Sequence, residues 1–124
     1  MARLLIADDE ESMRLMVARA LALDGHVIVT ARDGGEALEI LTHGAGRFEL
    51  LLTDIKMPIM DGIALALAAA REFPDLTILL MTGFADQRER VSGLDAIVHS
   101  VIAKPFSVAE IRAAVAEALA SRRA

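Results

Sequence analysis

Leu50-Leu51-Leu52-Thr53-Asp54 is an apolar run that ends abruptly in a hydroxyl and a carboxylate. So short and uniformly apolar a run, stopped by polar residues, reads as a strand buried on both faces of a sheet. The same form recurs along the chain. Leu4-Leu5-Ile6-Ala7 runs into Asp8-Asp9, Ile78-Leu79-Leu80-Met81 into Thr82, and Val101-Ile102-Ala103 into Lys104, while Val27-Ile28-Val29 supplies a fifth run. Longer segments with helical spacing separate them. Alternating strands and helices imply a parallel sheet covered on both faces, with right-handed crossovers. The expected architecture is a doubly wound α/β fold, a five-stranded parallel sheet of order 2-1-3-4-5 with five helices.

The helical segments have recognisable limits. Met13, Met16, Val17, Ala20 and Leu21 share one face of a first helix, which Gly25 stops. A second is expected over about 35–41, ending near Gly44, and a third over about 63–72, ending before Pro74. Ser107-Val108-Ala109-Glu110 is a capping box that opens the last helix, with Ile111, Val115 and Leu119 as its inner stripe. The segment Gln87-Arg88-Glu89-Arg90-Val91-Ser92-Gly93 is short and polar, so the helix after the fourth strand is the weak one. It reads equally as a cheaply moved element or as a loosely packed surface helix.

The 124 residues are the size of one domain, and the absence of repeats or a Pro/Ser-rich linker leads us to expect a single domain over 1–124 with no output domain attached. Apolar residues make up 55% of the chain, yet the longest apolar stretch is too short to cross a bilayer. The apolar start runs at once into Asp8-Asp9-Glu10-Glu11, unlike a signal peptide. With no cysteine there is no disulfide framework and no thiolate metal site, and a cytoplasmic location is the default expectation. Eighteen acidic against thirteen basic residues give a net charge of −5, and the arginines are dispersed. Binding to nucleic acid or to a membrane is therefore not expected of this domain. Arg122 and Arg123 read as favourable charges at a helix C-terminus.

In a parallel sheet all strand ends of one sense lie on the same edge, where α/β folds place their ligands. Asp8, Asp9, Asp54, Thr82 and Lys104 are thus expected to converge. Carboxylates a few Å apart repel by roughly 1–4 kcal/mol per pair at intermediate dielectric, so three of them invite a divalent cation. Hard oxygen donors favour Mg²⁺ over zinc. Phosphoryl transfer needs such a metal together with donors to the remaining phosphoryl oxygens, which Thr82 and Lys104 can supply. An aspartate can be the nucleophile, forming an acyl phosphate.

Blander readings apply to several neighbours. Glu10 and Glu11 read as solvated acids at a helix N-terminus, and Asp61 before Gly62 as an N-cap or turn residue. Lys104-Pro105 could be an ordinary turn, although a cis bond there would fix the lysine's aim. His26, His43 and His99 are scattered and lack metal-ligand spacing.

With these residues in place, the chain resembles the receiver domain of response regulators, the CheY-like family, across essentially its whole length. The resemblance is carried by Leu4-Leu5-Ile6-Ala7-Asp8-Asp9-Glu10, by Leu51-Leu52-Thr53-Asp54-Ile55-Lys56-Met57-Pro58 with Asp61-Gly62, by Leu80-Met81-Thr82-Gly83, and by Ala103-Lys104-Pro105-Phe106. It implies Asp54 as phosphorylation site, Asp8 and Asp9 as metal-site acids, and the Lys56 backbone carbonyl as a further Mg²⁺ ligand. Thr82 and Lys104 would contact the phosphoryl group, and a histidine kinase or histidine phosphotransfer protein would be the donor. Such a protein is a switch rather than an enzyme, with only slow self-phosphorylation and self-dephosphorylation. Glu11-Ser12-Met13-Arg14-Leu15-Met16-Val17-Ala18-Arg19-Ala20-Leu21 and Asp61-Gly62-Ile63-Ala64-Leu65-Ala66-Leu67 are most similar to the stand-alone CpdR type. That resemblance implies a trans-acting adaptor for the ClpX unfoldase of the ClpXP protease.

The family often places a switch aromatic three residues before the lysine. That position is Val101 here, and the chain has no tyrosine or tryptophan. We therefore expect phosphorylation to shift the weak helix near Gln87 to Leu94 and the surface around His99. Gly83 leaves room for a donor, while Phe84 and Lys56 border the path of hydrolytic water, which predicts slow loss of the phosphoryl group. Two rival functions share these residues. A phosphorelay intermediate would pass the group on to a histidine phosphotransfer protein. A haloacid-dehalogenase-type phosphohydrolase would want a second acid where Lys56 stands.

Overall fold

The computed structural model describes residues 2–44, 47–83 and 91–122. Five strands, β1 (Arg3–Ala7), β2 (Val27–Ala31), β3 (Leu50–Asp54), β4 (Thr77–Thr82) and β5 (Ser100–Ala103), form one sheet. Its order is β2-β1-β3-β4-β5 and every pairing is parallel. Among the described residues the helices are α1 (Glu11–Ala22), α2 (Gly34–His43), α3 (Gly62–Glu72) and α4 (Val108–Arg122). This is the expected doubly wound arrangement. The weak helix expected from Gln87 falls mainly at 84–90, outside the described residues, as does Phe84. None of the helices searched is long and apolar enough to cross a membrane.

Alternation along the strands divides the core in two. Leu5, Leu51, Ile78 and Leu80 face α2 and α3, meeting Ala37, Leu41, Leu65, Ala66 and Ala69. Leu4, Ile6, Leu50, Leu52, Leu79 and Met81 face α1 and α4, meeting Val17, Leu21, Ile111, Val115 and Leu119. The uninterrupted apolar runs within β1, β3 and β4 are therefore what a sheet covered on both sides requires. Each fully buried Leu or Ile contributes about 1.5–3 kcal/mol of transfer free energy, which holds both helical layers on the sheet.

Local chemistry fixes the helix starts. Ser107 and Glu110 form the anticipated reciprocal cap, with Ser107 N donating to Glu110 Oε1 (2.8 Å) and Glu110 N to Ser107 Oγ (3.0 Å). Asp33 accepts from Glu36 N (2.8 Å) at the start of α2. Asp61 is the N-cap of α3, accepting from Ala64 N (2.8 Å). At the far end of α4, the Arg122 guanidinium donates to the carbonyl of Glu49 (2.9 Å) and also to that of Asp75. It ties the last turn to the loops that precede β3 and β4. The three histidines serve structure: His26 Nδ1 accepts from Ala2 N, the His43 ring bonds the Glu39 carbonyl, and His99 Nε2 lies 2.8 Å from Glu117 Oε2.

Candidate functional site

β1, β3, β4 and β5 all end at the same edge of the sheet. Register places Thr53 opposite Ala7, Asp54 opposite Met81, and Thr82 opposite Ala103. The polar residues that stop the apolar runs are therefore brought together. Carboxylate oxygens of Asp8, Asp9 and Asp54 lie within 4.8 Å of one another. A cleft of about 290 Å³ is lined by these three acids with Glu10, Lys56, Gly83 and Lys104. Two larger hollows, of about 610 and 460 Å³, lie elsewhere and gather no comparable set of strand-end acids. Convergence of charge, not size, marks the site.

Asp8 is wholly buried, and its Oδ1 accepts from Glu10 N (3.0 Å). Arg14 Nη1 donates to the Asp8 carbonyl (2.9 Å), which anchors the first turn of α1 to the end of β1. Lys104 Nζ lies 3.3 Å from Asp8 Oδ2 and 3.2 Å from Asp54 Oδ1. Burial works against the lysine's charge, but Asp54 and Asp8 outweigh it and raise Lys104 above the ordinary lysine value. Burial pushes the Asp54 carboxyl up, Lys104 opposes that, and Asp8 adds to it. Two acids and a cation share this cleft, and the desolvation there makes the Asp54 carboxylate costlier to form than in water.

Thr82 is buried at the end of β4, and its carbonyl accepts from Lys104 N (2.7 Å). β4 thereby sets the height of the lysine, and the Lys104–Pro105 peptide is cis. At Gly83 a Cβ would meet only Lys104 Cδ, at 4.0 Å, so the wall stays open there. Lys56 is exposed at the rim. Thr53, by contrast, turns away: its hydroxyl donates to the Asp54 carbonyl (2.9 Å) and lies beside Met57 Sδ.

The sequence reading thus brought Asp8, Asp9, Asp54, Lys56 and Lys104 to one cleft, with Thr82 next to its wall. Glu10, read as a solvated acid at a helix N-terminus, is exposed at the N-cap of α1 and also lines the cleft, whereas Arg14, whose grip on Asp8 no local pattern announces, was missed. Adjacency to Asp8-Asp9 was the only available signal for Glu10. Hard oxygen donors without sulfur or imidazole suit Mg²⁺, so the residues present fit such an ion.

Fold and site together are those of a receiver domain of two-component response regulators. The chain belongs to the response regulator receiver domain family, which matches residues 4–116. Response regulator MprA of Mycobacterium ulcerans is 35% identical over 111 residues, which are 90% of this chain and 47% of MprA. The chain spans about half the length of the curated relatives it matches. A receiver domain protein from Clostridium thermocellum superposes with a TM-score of 0.90 at 23% identity, over 99% of this chain and 98% of that one, a likeness of fold. Response regulator TrrA from Thermotoga maritima, in complex with Mg²⁺-BeF, gives 0.83 at 28% identity, over 95% and 99% of the two chains.

Proposed function

We propose that this receiver is a switch phosphorylated on Asp54, with Mg²⁺ held by Asp8, Asp9, Asp54 and the Lys56 carbonyl. The observation that carries the reading is Asp54 at the end of β3, within 4.8 Å of two further acids and 3.2 Å from Lys104. TrrA, a relative in fold and sequence, holds Mg²⁺-BeF, which supports the same pair of ligands here. The metal, when bound, neutralises charge on the transferring phosphoryl oxygens. Asp54 Oδ attacks phosphorus, the P–N bond to a donor histidine breaks, and the imidazole leaves with the bonding pair and takes a proton. Lys104 follows the charge from the Asp54 carboxylate to a phosphoryl oxygen, and the Thr82 hydroxyl donates to another.

The donor is a histidine kinase or histidine phosphotransfer protein. Beside the cleft, α1 and the start of α4 expose Leu15, Leu23 and Val108 around a groove of about 460 Å³, an apolar surface suited to a helical donor. On this proposal, output runs through a protein partner that distinguishes the two states of the switch. The likeness of α1 and α3 to the CpdR type supports an adaptor that presents substrates to ClpX while unphosphorylated. Val101 is 42% exposed at the position of the usual switch aromatic, so the signal travels by another route than a rotating ring.

Transfer from an autophosphorylated histidine-kinase core to the wild-type chain, and none to Asp54→Asn, is the expected result. Labelling of Asp54→Asn at the wild-type level would contradict it. Immobilised ClpX N-terminal region, offered the chain with and without Mg²⁺ and beryllofluoride, tests the adaptor reading separately. Retention of the unmodified form alone supports it, and retention of neither form refutes it.

A further inference from the structure

Asp9 is held differently from the other two acids of the cleft. Asp8 is wholly buried and Asp54 stands 3.2 Å from Lys104, but Asp9 is exposed, and among the described residues its carboxylate has no hydrogen-bond partner. The backbone on either side aims it instead. The peptide before Asp9 carries the Asp8 carbonyl, to which Arg14 Nη1 donates (2.9 Å). The peptide after it carries Glu10 N, which donates to Asp8 Oδ1 (3.0 Å). Each peptide is planar, so fixing both planes fixes the direction of the Asp9 Cα–Cβ bond between them. The arginine acts where the sheet stops. Asp8 N still bonds the Ala31 carbonyl (3.1 Å), but β2 ends at Ala31, and among the described residues no backbone donor reaches the Asp8 carbonyl. Half-buried Arg14, in the first turn of α1, supplies that donor and forms no ion pair among the described residues. Its charge alone opposes a second cation beside Asp8, so what it can contribute to metal binding is geometry.

We propose that Arg14 is a positioning residue that fixes Asp9 for Mg²⁺ and thereby sets the preference of the site for Mg²⁺ over Ca²⁺. Mg²⁺ demands near-octahedral geometry at short distances, whereas Ca²⁺ accepts more oxygens at longer and more variable ones. An Asp9 released from its fixed direction therefore still serves Ca²⁺ and serves Mg²⁺ poorly. This role rests on Asp8, Asp9 and Asp54 being the Mg²⁺ site proposed above.

The test is an NMR titration of the isotopically labelled chain with Mg²⁺ and, separately, Ca²⁺, following the amides of residues 8–10 well below the melting temperature. Arg14→Met keeps the apolar stem and removes the donor and the charge. It should lower Mg²⁺ affinity at least about tenfold and change Ca²⁺ affinity less than about threefold. Loss of the charge alone would raise both affinities, and a general loosening of the fold would lower both together. Arg14→Lys, a shorter donor that keeps the charge, should show the same selective loss in smaller degree, and it carries the test if the methionine variant does not fold. Arg19→Met, exposed in the last turn of α1, removes an equal charge and should leave both affinities unchanged. Equal losses for the two ions, a gain for both, or wild-type Mg²⁺ affinity in Arg14→Met would each overturn the proposal. Absence of Mg²⁺ binding by the wild type, or wild-type Mg²⁺ affinity in Asp9→Asn, would overturn the metal site itself and this role with it. A wild type that binds Mg²⁺ and weakens in Asp9→Asn confines any failure to Arg14.

Discussion

Lys104 Nζ stands 3.2 Å from Asp54 Oδ1 and 3.3 Å from Asp8 Oδ2, so one ammonium spans the ends of two strands. The ammonium side chain is 19% exposed and both acids are nearly buried, which makes the trio interdependent. Lys104→Ala leaves two neighbouring acids without their cation. We expect a loss of about 1–3 kcal/mol in urea melts at neutral pH, shrinking in acid as Asp54 takes up a proton. Phosphorylation should slow as well, because the charge that would follow the phosphoryl group is gone.

Asp54→Asn should act in the opposite direction on stability. A folded-state carboxyl raised above its ordinary 3.8, as Asp54 is, favours folding when protonated. Its contribution is full below 3.8 and is lost as pH rises through the raised folded value, so at neutral pH ionised Asp54 weakens the fold. The variant should melt a few degrees higher near neutrality and show a flatter stability profile through the acid range, measured by calorimetry. Lys104, raised above 10.5, contributes fully below that value and loses its contribution at higher pH still. Alkaline destabilisation of the wild type above 10.5 should therefore be smaller in Lys104→Met.

Mg²⁺ should bind only the folded chain and raise its melting temperature. At about a hundred times Kd the gain is about 2.7 kcal/mol, and it should vanish in Asp8→Asn. Protons compete for Asp54, so the affinity should fall as pH drops through its raised value. Thermal melts across a Mg²⁺ series at two pH values check both statements.

Gly62→Ala places a methyl group against the carbonyl of Asp54, with an ideal Cβ at 1.9 Å. Backbone cannot yield cheaply there, and we expect a cost of about 1–3 kcal/mol in chemical denaturation. Because the displaced atoms belong to Asp54, the acceptor should also label more slowly than in the wild type.

The strand ends were legible because the sheet is parallel: once Leu4, Leu50, Leu79 and Val101 were placed in strands, topology alone carried Asp8, Asp54, Thr82 and Lys104 to one edge. The caps at Ser107 and Asp61 were legible because they act within four residues. β2 extends through Thr30 and Ala31, beyond the apolar run at 27–29, since pairing with Ile6 and Ala7 and not hydropathy sets its end. Arg14 on the Asp8 carbonyl, and Gly62 against Asp54, depend on how a helix docks to the end of a strand, which no residue spacing encodes. Ile59 gave no warning, because positive φ is ordinarily announced by glycine or asparagine. The contrast follows interaction range: short-range chemistry and topology can be read from order, and docking contacts cannot.

Intact-mass measurement after incubation with Mg²⁺ and acetyl phosphate tests the central claim most directly. One phosphoryl group added to the wild-type chain and none to Asp54→Ala is the expected result. Equal modification of both chains, or none of the wild type while Mg²⁺ still binds, would contradict Asp54 as the acceptor.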